Sequence, residues 1–447
     1  MTDFATTAPI QRTTRPILGL RVEVIAGPDK GRIAEATRDT MSVGTADNND
    51  VVLTDPTVSR YHLELRRDAS QIVVDDLRST NGTAVGPRDR AARIGRATLD
   101  PGAVLTLGGT QLRVDDGALL QMEAHDTDGL GGLFGRAPLM RSLMAQIRRS
   151  GAADASVLIQ GETGSGKELV AHALHEASPR AEGPFETVDC GSLLPTLINS
   201  ELFGHEAGAF TGAEGRSIGA FERASGGTVF LDEIGELSKE TQATLLGVLE
   251  RRAIRRLGGA VTIPVDVRII AATHRDLRAE VNTGNFRQDL YYRLAVVTLR
   301  VPPLRERPED IPLLIRSFAE QIGMSDRVDA VLGPEIVTQL KTHPWPGNVR
   351  ELRNFVEAAL ALGEVPEVAR PSTSGTGVSF DPYHIAHANF HQLRGAVVFE
   401  FEAKYLMALL KHTGGNVSAA SRIAELSRTH LTAMLKRHRI DPRRLEE

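Results

Sequence analysis

The chain has 447 residues, 41% of them hydrophobic and 24% charged, so it is too long for one ordinary domain and predicts about three. Its net charge of −5 excludes a general polycation, and any nucleic-acid contact must come from a local basic patch. The single cysteine, Cys190, excludes an internal disulfide and fits a reducing compartment. The N-terminal segment MTDFATTAPIQRTTRP lacks the apolar run of a signal peptide, and no apolar stretch is long enough to span a bilayer. We therefore expect a cytoplasmic protein without a membrane partner.

The segment from residue 16 to residue 116 consists of short stretches in which apolar and polar residues alternate. Examples are LGLRVEVIAG, YHLELRRD, QIVVDDL and VLTLGGTQLRV, with turn-forming Gly, Asp, Asn and Pro between them. Because alternation with period two is typical of half-buried strands, the pattern predicts an antiparallel all-β sandwich. Residues 117–134, which end in DTDGLGGLF, predict a glycine-rich linker.

Two stretches of this segment, VGTADNNDVVLTDPTVSRYHLEL and VDDLRSTNGTAVG, resemble a forkhead-associated domain. That resemblance implies a site for phosphothreonine peptides on loops at one end of the sandwich, with His62 bracing a loop and Gly82 in a turn. Thr45 stands where the family usually has an arginine that contacts phosphate, so a sandwich used only for protein contacts stays an alternative. The implied recognition residues are Ser59, Arg60, Thr80 and Asn81.

From residue 135 to residue 305, apolar strands alternate with helical stretches, which predicts a parallel α/β domain with a helical lid over residues 306–363. The motif GETGSGKE follows the strand VLIQ and precedes a helix, as a phosphate-binding P-loop does. Its backbone N–H groups and the helix N-terminus would surround phosphate oxygens, and Lys167 would reach the β- and γ-phosphates. The predicted ATP-binding residues of the motif are Gly161, Glu162, Thr163, Gly164, Ser165, Gly166, Lys167 and Glu168.

The predicted cofactors are ATP and Mg²⁺. Glu168 occupies the position where a P-loop usually carries the Ser or Thr that binds magnesium, so the metal needs another protein ligand. The segment TVFLDE delivers Asp232 and Glu233 to the carboxyl edge of the predicted sheet. We expect Asp232 to hold the metal and Glu233 to orient and polarise the attacking water.

Three further motifs follow the nucleotide motifs along the chain. Thr273 ends a strand in IIAATHRDL, Arg287 and Arg293 lie six residues apart in FRQDLYYRL, and Arg350 lies in WPGNVREL. Each arginine taken alone is typical of a surface salt bridge. Their order after two nucleotide motifs favours a functional role.

Together with SELFGHEAGAFTGA and GGTVFLDEI, these motifs make residues 135–363 closely resemble the AAA+ domain of bacterial enhancer-binding proteins, ATPases that activate sigma-54 RNA polymerase. The resemblance implies Thr273 as sensor I and Arg350 as sensor II, an ATP-binding residue. It also implies Arg287 and Arg293 as arginine fingers that act on the ATP of a neighbouring subunit, in a chain that assembles from dimer to hexamer.

Asp189, in ETVDCGSL, departs from this family pattern. The family commonly has an Asn there, which relays the nucleotide state by holding the catalytic glutamate. An ionised Asp189 cannot donate such a hydrogen bond, so we expect the switch to be retuned. The predicted catalytic residues are Asp189, Asp232, Glu233, Thr273, Arg287 and Arg293.

The sequence GAFTGA has no apolar periodicity that would bury its aromatic residue. In the family that the chain resembles, this sequence tips a loop that contacts sigma-54, and ATP hydrolysis moves the loop to remodel the closed promoter complex. Small residues would let the loop extend, while Phe210 supplies apolar area and Thr211 a hydroxyl. The implied contact residues are Gly208, Ala209, Phe210, Thr211, Gly212 and Ala213.

Residues 364–395 predict a flexible linker because of the segment PEVARPSTSGTG. The linker contains His384, His387 and His391. A metal site there is the alternative to solvated chain, although no cysteine or clustered carboxylate accompanies them.

Residues 396–447 contain GGNVSAASRIAELSRTHLTAMLKRHRI, which has helix-turn-helix spacing and resembles a Fis-type DNA-binding domain. Asn416 or Ser418 can cap a first helix, and Leu431 and Leu435 would pack the second helix inward. A dimer would read an inverted repeat, and a charged helix in an oligomerisation module stays the alternative. The first helix would turn inward Ala420, Ile423 and Ala424. The predicted DNA contacts are Ser418, Arg428, Thr429, His430, Thr432, Lys436 and Arg437.

The sequence thus predicts a multidomain activator that combines a forkhead-associated sandwich, an α/β AAA+ domain with a helical lid, and an all-α helix-turn-helix. Its predicted partners are sigma-54 RNA polymerase holoenzyme, enhancer DNA, a phosphothreonine protein or Ser/Thr kinase, and further copies of itself. A remodelling ATPase without promoter action and a repressor with a vestigial ATPase are the competing hypotheses.

Overall fold

The computed structural model describes residues 14–68, 71–87, 91–192, 195–211 and 213–366, and of the C-terminal stretch residues 406, 409–410, 413, 416–424, 428, 431–432 and 435. The chain divides into two compact units, Met1–Val368 and Ala369–Glu447. In the described residues, no helix has the length and hydropathy needed to cross a bilayer.

The N-terminal part of the first unit consists of strands in two facing sheets. The strands are β1 (Thr14–Ala26), β2 (Ile33–Glu35), β3 (Thr40–Gly44), β4 (Val51–Val52), β5 (Leu63–Asp68), β6 (Gln71–Asp76), β7 (Thr83–Val85), β8 (Ala92–Ile94), β9 (Arg96–Leu99), β10 (Ala103–Leu107) and β11 (Thr110–Glu123). One sheet has the order β2-β1-β11-β10-β7-β8 and the other β4-β3-β5-β6-β9. The strands pair in antiparallel fashion except for β3 and β4, which run parallel.

The core between these sheets follows the alternation of the sequence. Leu20, Val22 and Val24 of β1 are buried, whereas Arg21 and Glu23 between them reach solvent. On the other sheet Leu63 and Leu65 of β5 are buried, but the alternation is broken in β6, where Val73 is buried between Ile72 and Val74. Period two therefore predicted the core positions of β1 better than those of the second sheet.

Residues 117–134 are not an unstructured linker, and that prediction is wrong. Strand β11 continues to Glu123 because the first residues of β1, from Thr14 to Leu18, provide a pairing edge for it. Two short strands follow, β12 (Gly129–Leu130) and β13 (Leu133–Phe134), which form a hairpin through Gly131 and Gly132. The glycines serve a tight turn with positive φ rather than a flexible joint.

The second part of the first unit is a parallel α/β domain. Its central strands are β14 (Val157–Gln160), β15 (Phe185–Asp189), β16 (Thr228–Asp232), β19 (Arg268–Thr273) and β20 (Val297–Arg300), and a separate hairpin joins β17 (Ala253–Arg255) to β18 (Thr262–Pro264). Its helices are α1 (Pro138–Gly151), α2 (Lys167–Glu176), α3 (Pro195–Phe203), α4 (Ala220–Arg223), α5 (Lys239–Arg251), α6 (Leu277–Asn282) and α7 (Gln288–Leu294). The central order is β15-β16-β19-β14-β20, with parallel pairing throughout. The glycine-rich loop, Asp232 and Thr273 consequently meet at one carboxyl edge.

The helical lid follows this sheet, as predicted. It contains α8 (Ile311–Gln321), α9 (Val328–Val331), α10 (Pro334–Thr342) and α11 (Asn348–Leu362). Trp345 is 1% exposed in the lid core, and its indole Nε1 donates to the Leu340 carbonyl over 2.8 Å. The buried aromatic ring and its satisfied N–H fix the turn that precedes α11.

The second unit has a small core around α12 (Val417–Ile423). Leu431 and Leu435 are buried in it as predicted, and the Asn416 side chain accepts the Ala419 N–H over 3.1 Å, which makes Asn416 a helix cap. Ile423 is 54% exposed, so its predicted inward position is wrong. Ala420 and Ala424, which were also predicted to face inward, do pack on this core, and they lie four residues apart on one helix face.

Candidate functional site

The glycine-rich loop connects β14 to α2 at the carboxyl edge of the sheet. Gly164 and Gly166 have φ of 75° and 107°, in the left-handed region that glycine adopts without strain. A Cβ on Gly164 would lie 2.4 Å from the Gly347 carbonyl oxygen, so the lid approaches this loop closely. Position and conformation are those that phosphate binding requires.

Lys167 is buried at the first position of α2. Its Nζ donates to the Gly161 carbonyl over 3.2 Å and to Glu233 Oε1 over 3.1 Å. The P-loop cation therefore rests against the carboxylate that the sequence predicts as the water-activating group. Glu168, by contrast, is exposed in the first turn of α2.

Asp232 and Glu233 lie at the end of β16, where a bend with φ of 51° at Glu233 turns the chain into Ile234–Glu236. Burial and the neighbouring Glu233 carboxylate raise the pKa of Asp232. Burial also favours a raised pKa at Glu233, but hydrogen bonds from His274 and the charge of Lys167 outweigh it and hold the pKa of Glu233 below its usual value.

These carboxylates fit a magnesium ion that is held mainly by substrate phosphates. Among the described residues, no group of His, Cys, Asp and Glu side chains forms a cage for a metal. Mg²⁺ typically uses one or two protein carboxylates, phosphate oxygens and waters, so a cage is not required. Burial and the neighbouring Glu233 carboxylate both disfavour the ionised form of Asp232, and a divalent cation at this carboxylate would offset them. The alternative metal site at His384, His387 and His391 lies outside the described residues.

Asp189 lies beside Asp232 in the register of β15 and β16, but it does not hold Glu233. Its Oδ1 accepts the Gly191 N–H over 2.9 Å. Glu233 Oε2 instead accepts the backbone N–H of His274 over 3.1 Å and lies 2.7 Å from His274 Nδ1. His274 was not among the predicted site residues, although its position directly after Thr273 was a signal.

Thr273 is 1% exposed and joins the end of β19 to the glycine-rich loop. Its carbonyl accepts the Gly161 N–H over 3.2 Å, and its Oγ1 accepts the Arg275 N–H over 3.0 Å. Thr273 is therefore placed to couple the phosphate loop to the segment that follows β19.

The lid contacts the glycine-rich loop through groups that the sequence analysis did not identify. Arg305 forms a two-pronged ion pair with Glu162, with distances of 2.7 and 2.6 Å, and this pair holds the pKa of Glu162 low. Asn348 donates to Glu162 and to the Thr163 carbonyl, both over 3.1 Å. Arg307 Nη2 donates to the Ser165 carbonyl over 2.8 Å.

The predicted Arg350 is exposed, and its backbone N–H reaches the Gly164 carbonyl.

The predicted arginine fingers lie on or beside α7 and are exposed. Arg287 forms an ion pair with Asp289 over 2.7 Å. Among the described residues, neither Arg287 nor Arg293 bonds to the glycine-rich loop of its own chain. Exposure of this kind is what a side chain needs if it is to act on a neighbouring subunit.

Backbone hydrogen bonds close the described residues of the GAFTGA segment, 208–211 and 213, into a turn, whereas an extended loop was predicted. The Ala213 N–H donates to the Phe210 carbonyl over 3.0 Å, and the Gly208 N–H donates to the Ala213 carbonyl over 2.8 Å. The Phe210 ring packs edge-on against His205, with ring centroids 5.0 Å apart, while Thr211 is exposed. Ala209 is half-buried and Ala213 is buried, and Gly212 lies outside the described residues.

The predicted phosphopeptide residues lie together at one end of the sandwich. The Thr80 N–H donates to Ser59 Oγ over 2.9 Å, and Asn81 Nδ2 donates to the Thr57 carbonyl over 2.7 Å. His62 Nδ1 accepts the Ser59 N–H over 3.0 Å, and its Nε2 lies 3.3 Å from the Gly82 carbonyl. His62 thus braces both loops, and Gly82 has the positive φ of a turn glycine, 75°.

Few positive charges are available to a phosphate at this end of the sandwich. Thr45 is half-buried, and its N–H donates to the Ser59 carbonyl over 3.1 Å, so position 45 adjoins the peptide loops without contributing charge. Arg60 is exposed, and among the described residues its guanidinium is in no ion pair. Arg60 is therefore a cation next to Ser59, and the Arg93 guanidinium lies against Gly82 in the neighbouring loop.

The same two loops also contact the α/β domain. The Asn282 side chain at the end of α6 donates to the carbonyls of Tyr61 and Leu77, over 2.8 Å for Leu77, and accepts the Tyr61 N–H over 3.4 Å. The rings of Tyr61 and Tyr291 pack edge-on with centroids 5.5 Å apart. Tyr61 and Leu77 are buried in the core cluster of the α/β domain.

Ion pairs surround this interdomain contact. Arg278 on α6 pairs with Glu64 over 2.6 Å, and both side chains are mostly buried. Arg66 pairs with Glu306 over 2.9 Å, and Arg78 pairs with Glu280 over 2.9 Å. The sandwich is therefore joined to α6 and to the start of the lid by both apolar and charged contacts.

The predicted DNA contacts are described only in part. Arg428 and Thr432 are exposed one helical turn apart, and Thr432 Oγ1 donates to the Arg428 carbonyl over 2.8 Å. Ser418 lies on α12. The remaining predicted contacts lie outside the described residues: Thr429, His430, Lys436 and Arg437.

Models of protein families match most of the chain. The sigma-54 interaction domain matches residues 133–300, an AAA+ ATPase lid domain matches 305–371, and the bacterial regulatory proteins of the Fis family match 398–438. Residues 23–117 match the cytoplasmic domain of an inner membrane component of the type III secretion system.

Similar proteins are found among curated proteins and solved structures. The transcriptional regulatory protein ZraR of Escherichia coli O157:H7 is 46% identical over 311 residues, which are 68% of this chain and 68% of ZraR. The Nif-specific regulatory protein of Azotobacter vinelandii is 49% identical over 246 residues, 55% of this chain and 47% of that protein. NtrX from Brucella abortus, solved in complex with ATP, is 36% identical with a TM-score of 0.51 and covers 70% of each chain.

Proposed function

This chain belongs to the family of sigma-54-dependent AAA+ transcriptional regulators, and we propose that it hydrolyses ATP in a hexameric ring to remodel the closed complex of sigma-54 RNA polymerase in the cytoplasm. The observation that carries the proposal is the contact of Lys167 with Glu233 at the edge of the sheet. It brings a phosphate-binding cation and a water-activating carboxylate to one place, in a domain that also carries the GAFTGA turn.

The residues have separate tasks in this mechanism. The glycine-rich loop and Lys167 bind the phosphates, and Lys167 releases Glu233 Oε1 when it does so. Glu233 then accepts a proton from the attacking water, and the low pKa of Glu233 keeps it ionised for that step. Bound Mg²⁺, held by Asp232, would supply positive charge to the phosphate oxygens.

Assembly of the chains into a ring supplies further positive charge to each ATP. Arg287 and Arg293 are exposed and would reach the ATP of a neighbouring subunit, which requires Arg287 to exchange Asp289 for phosphate. The rate of ATP hydrolysis per chain should therefore rise with protein concentration as rings form.

The proposed activity is tested with purified protein, sigma-54 holoenzyme and a supercoiled promoter plasmid that carries a binding site for the chain. We expect open complexes with ATP and none with a non-hydrolysable analogue or with Glu233→Gln. ATP turnover without open complexes would favour a remodelling ATPase without promoter action. Promoter binding without ATP turnover would favour a repressor.

We further propose that the sandwich is a forkhead-associated domain that receives a phosphothreonine signal. Its support is the exposed group of Thr80, Asn81 and Arg60 around the half-buried Ser59 hydroxyl, braced by His62. Because Tyr61 and Leu77 of the same loops contact α6 and α7, a bound peptide could act on the ATPase directly. Titration of the full chain with matched phosphorylated and unphosphorylated peptides tests this, and equal affinities would leave a plain protein-interaction sandwich.

A further inference from the structure

The two carboxylate oxygens of Glu233 face different partners. Oε1 is directed to Lys167 Nζ and hence to the glycine-rich loop, at 3.1 Å. Oε2 is directed to His274, at 3.1 Å from the backbone N and 2.7 Å from Nδ1. His274 directly follows the last residue of β19, which pairs with β16, so the sheet holds this partner in place.

We infer that His274 is a positioning residue for ATP hydrolysis, which acts by fixing the orientation of the Glu233 carboxylate. The inference rests on the proposed function in one respect, namely that Glu233 activates the attacking water. With Oε2 anchored on His274, the carboxylate cannot rotate freely when a phosphate draws Lys167 away. Oε1 then stays directed at the glycine-rich loop, where it accepts the proton of the water.

The contact with Glu233 decides which imidazole nitrogen of His274 carries the proton. An ionised carboxylate only accepts hydrogen bonds, so Nδ1 must carry hydrogen and donate it to Oε2. Asp189 cannot substitute for this donor, because it is itself an acceptor and takes the Gly191 N–H. The hydrogen bond to Glu233 that the family resemblance implies for residue 189 is therefore made in this chain by the residue that follows β19, the strand paired with β16.

Two substitutions distinguish the effect of the His274 hydrogen-bond donor from the effect of the side chain's volume. In His274→Asn, the amide nitrogen is the same number of bonds from Cα as Nδ1, so it can donate to Oε2. In His274→Leu, a methyl group takes that place and cannot donate. The backbone N–H of residue 274 remains in both variants, so the loss is partial.

We expect His274→Leu to lower kcat by about tenfold, the low end for a hydrogen bond to a charged group, because the side chain is 42% exposed. His274→Asn should retain kcat within about twofold, and the affinity of both for a non-hydrolysable ATP analogue should stay within about twofold of native. In a Glu233→Gln background, His274→Leu should have little further effect, because the group it positions is already gone.

The assignment would be overturned by any of three results: an unchanged kcat in His274→Leu, equal losses of kcat in the Asn and Leu variants, or a loss of nucleotide affinity as large as the loss of kcat.

A second measurement does not depend on hydrolysis. The nitrogen NMR spectrum of the histidine-labelled full chain at a pH where imidazole is neutral should show His274 protonated at Nδ1, and Glu233→Ala should remove that preference. A neutral His274 protonated at Nε2 would contradict the inference, whereas failure of the native chain to hydrolyse ATP would contradict the proposed function alone.

Discussion

Asn282→Ala should loosen the sandwich from the α/β domain. The Asn282 amide donates to the Tyr61 and Leu77 carbonyls and accepts the Tyr61 N–H, and alanine removes all of these bonds. Each such bond contributes about 0.5–1.5 kcal/mol net, and the half-buried position of Asn282 favours the lower values. We therefore expect the free energy of docking to weaken by about 2 kcal/mol, which shifts the docking equilibrium about thirtyfold towards the undocked sandwich.

Hydrogen exchange followed by mass spectrometry measures this shift in the full chain. Protection should fall by up to about thirtyfold in the segments that contain Tyr61 and Leu77, while the strands of the sandwich keep their protection. The control is Thr283→Ala at the next residue, because the Thr283 hydroxyl donates to the Ala279 and Glu280 backbone carbonyls within the α/β domain and to no described sandwich residue. Native protection at Tyr61 in Asn282→Ala, or equal loss in both variants, would refute the assigned contact.

The remaining predictions concern the motor, its output and its input. Glu233→Gln should keep ATP binding and lose hydrolysis by at least about a hundredfold, because the amide cannot take up the proton of water; turnover at the native rate in a phosphate-release assay would contradict this role. Thr211→Ala should keep most ATPase activity yet stop open-complex formation, since Thr211 is exposed and remote from the nucleotide loop in sequence; parallel loss of both activities would make the turn structural. Thr45→Arg should tighten phosphothreonine-peptide binding by about tenfold in calorimetry, because a charged donor would join the Ser59 loop, and unchanged affinity would place position 45 outside the pocket. Burial lowers the pKa of His62 in the folded sandwich. As the pH falls below about 6.5, His62 is therefore protonated in the unfolded chain while it is still neutral in the folded one, and the sandwich should lose stability. His62→Gln should flatten that dependence in thermal melts, and an unchanged pH profile would exclude His62 as its cause.

Much of the fold and site was predictable because it depends on short stretches of chain. The strand VLIQ, the glycines after it and Lys167 at the start of α2 form one continuous segment, so their arrangement follows from local backbone geometry. The strand that ends in Asp232 is also continuous, and parallel pairing brings its end to the same edge. Alternation likewise marked the buried side chains of β1 and β5.

The sequence by itself therefore determined the order of the domains, the P-loop with its acidic strand, and the family of the chain. Only the tertiary structure decided which partner holds Glu233, because His274 is 41 residues away in sequence and is brought near by strand pairing. The same holds for Asn282 and Tyr61, which are 221 residues apart and meet only when the sandwich docks on α6. A histidine or asparagine that follows a strand or ends a helix carries no local pattern of its partner, since hydrogen bonds between distant segments depend on the relative placement of whole elements.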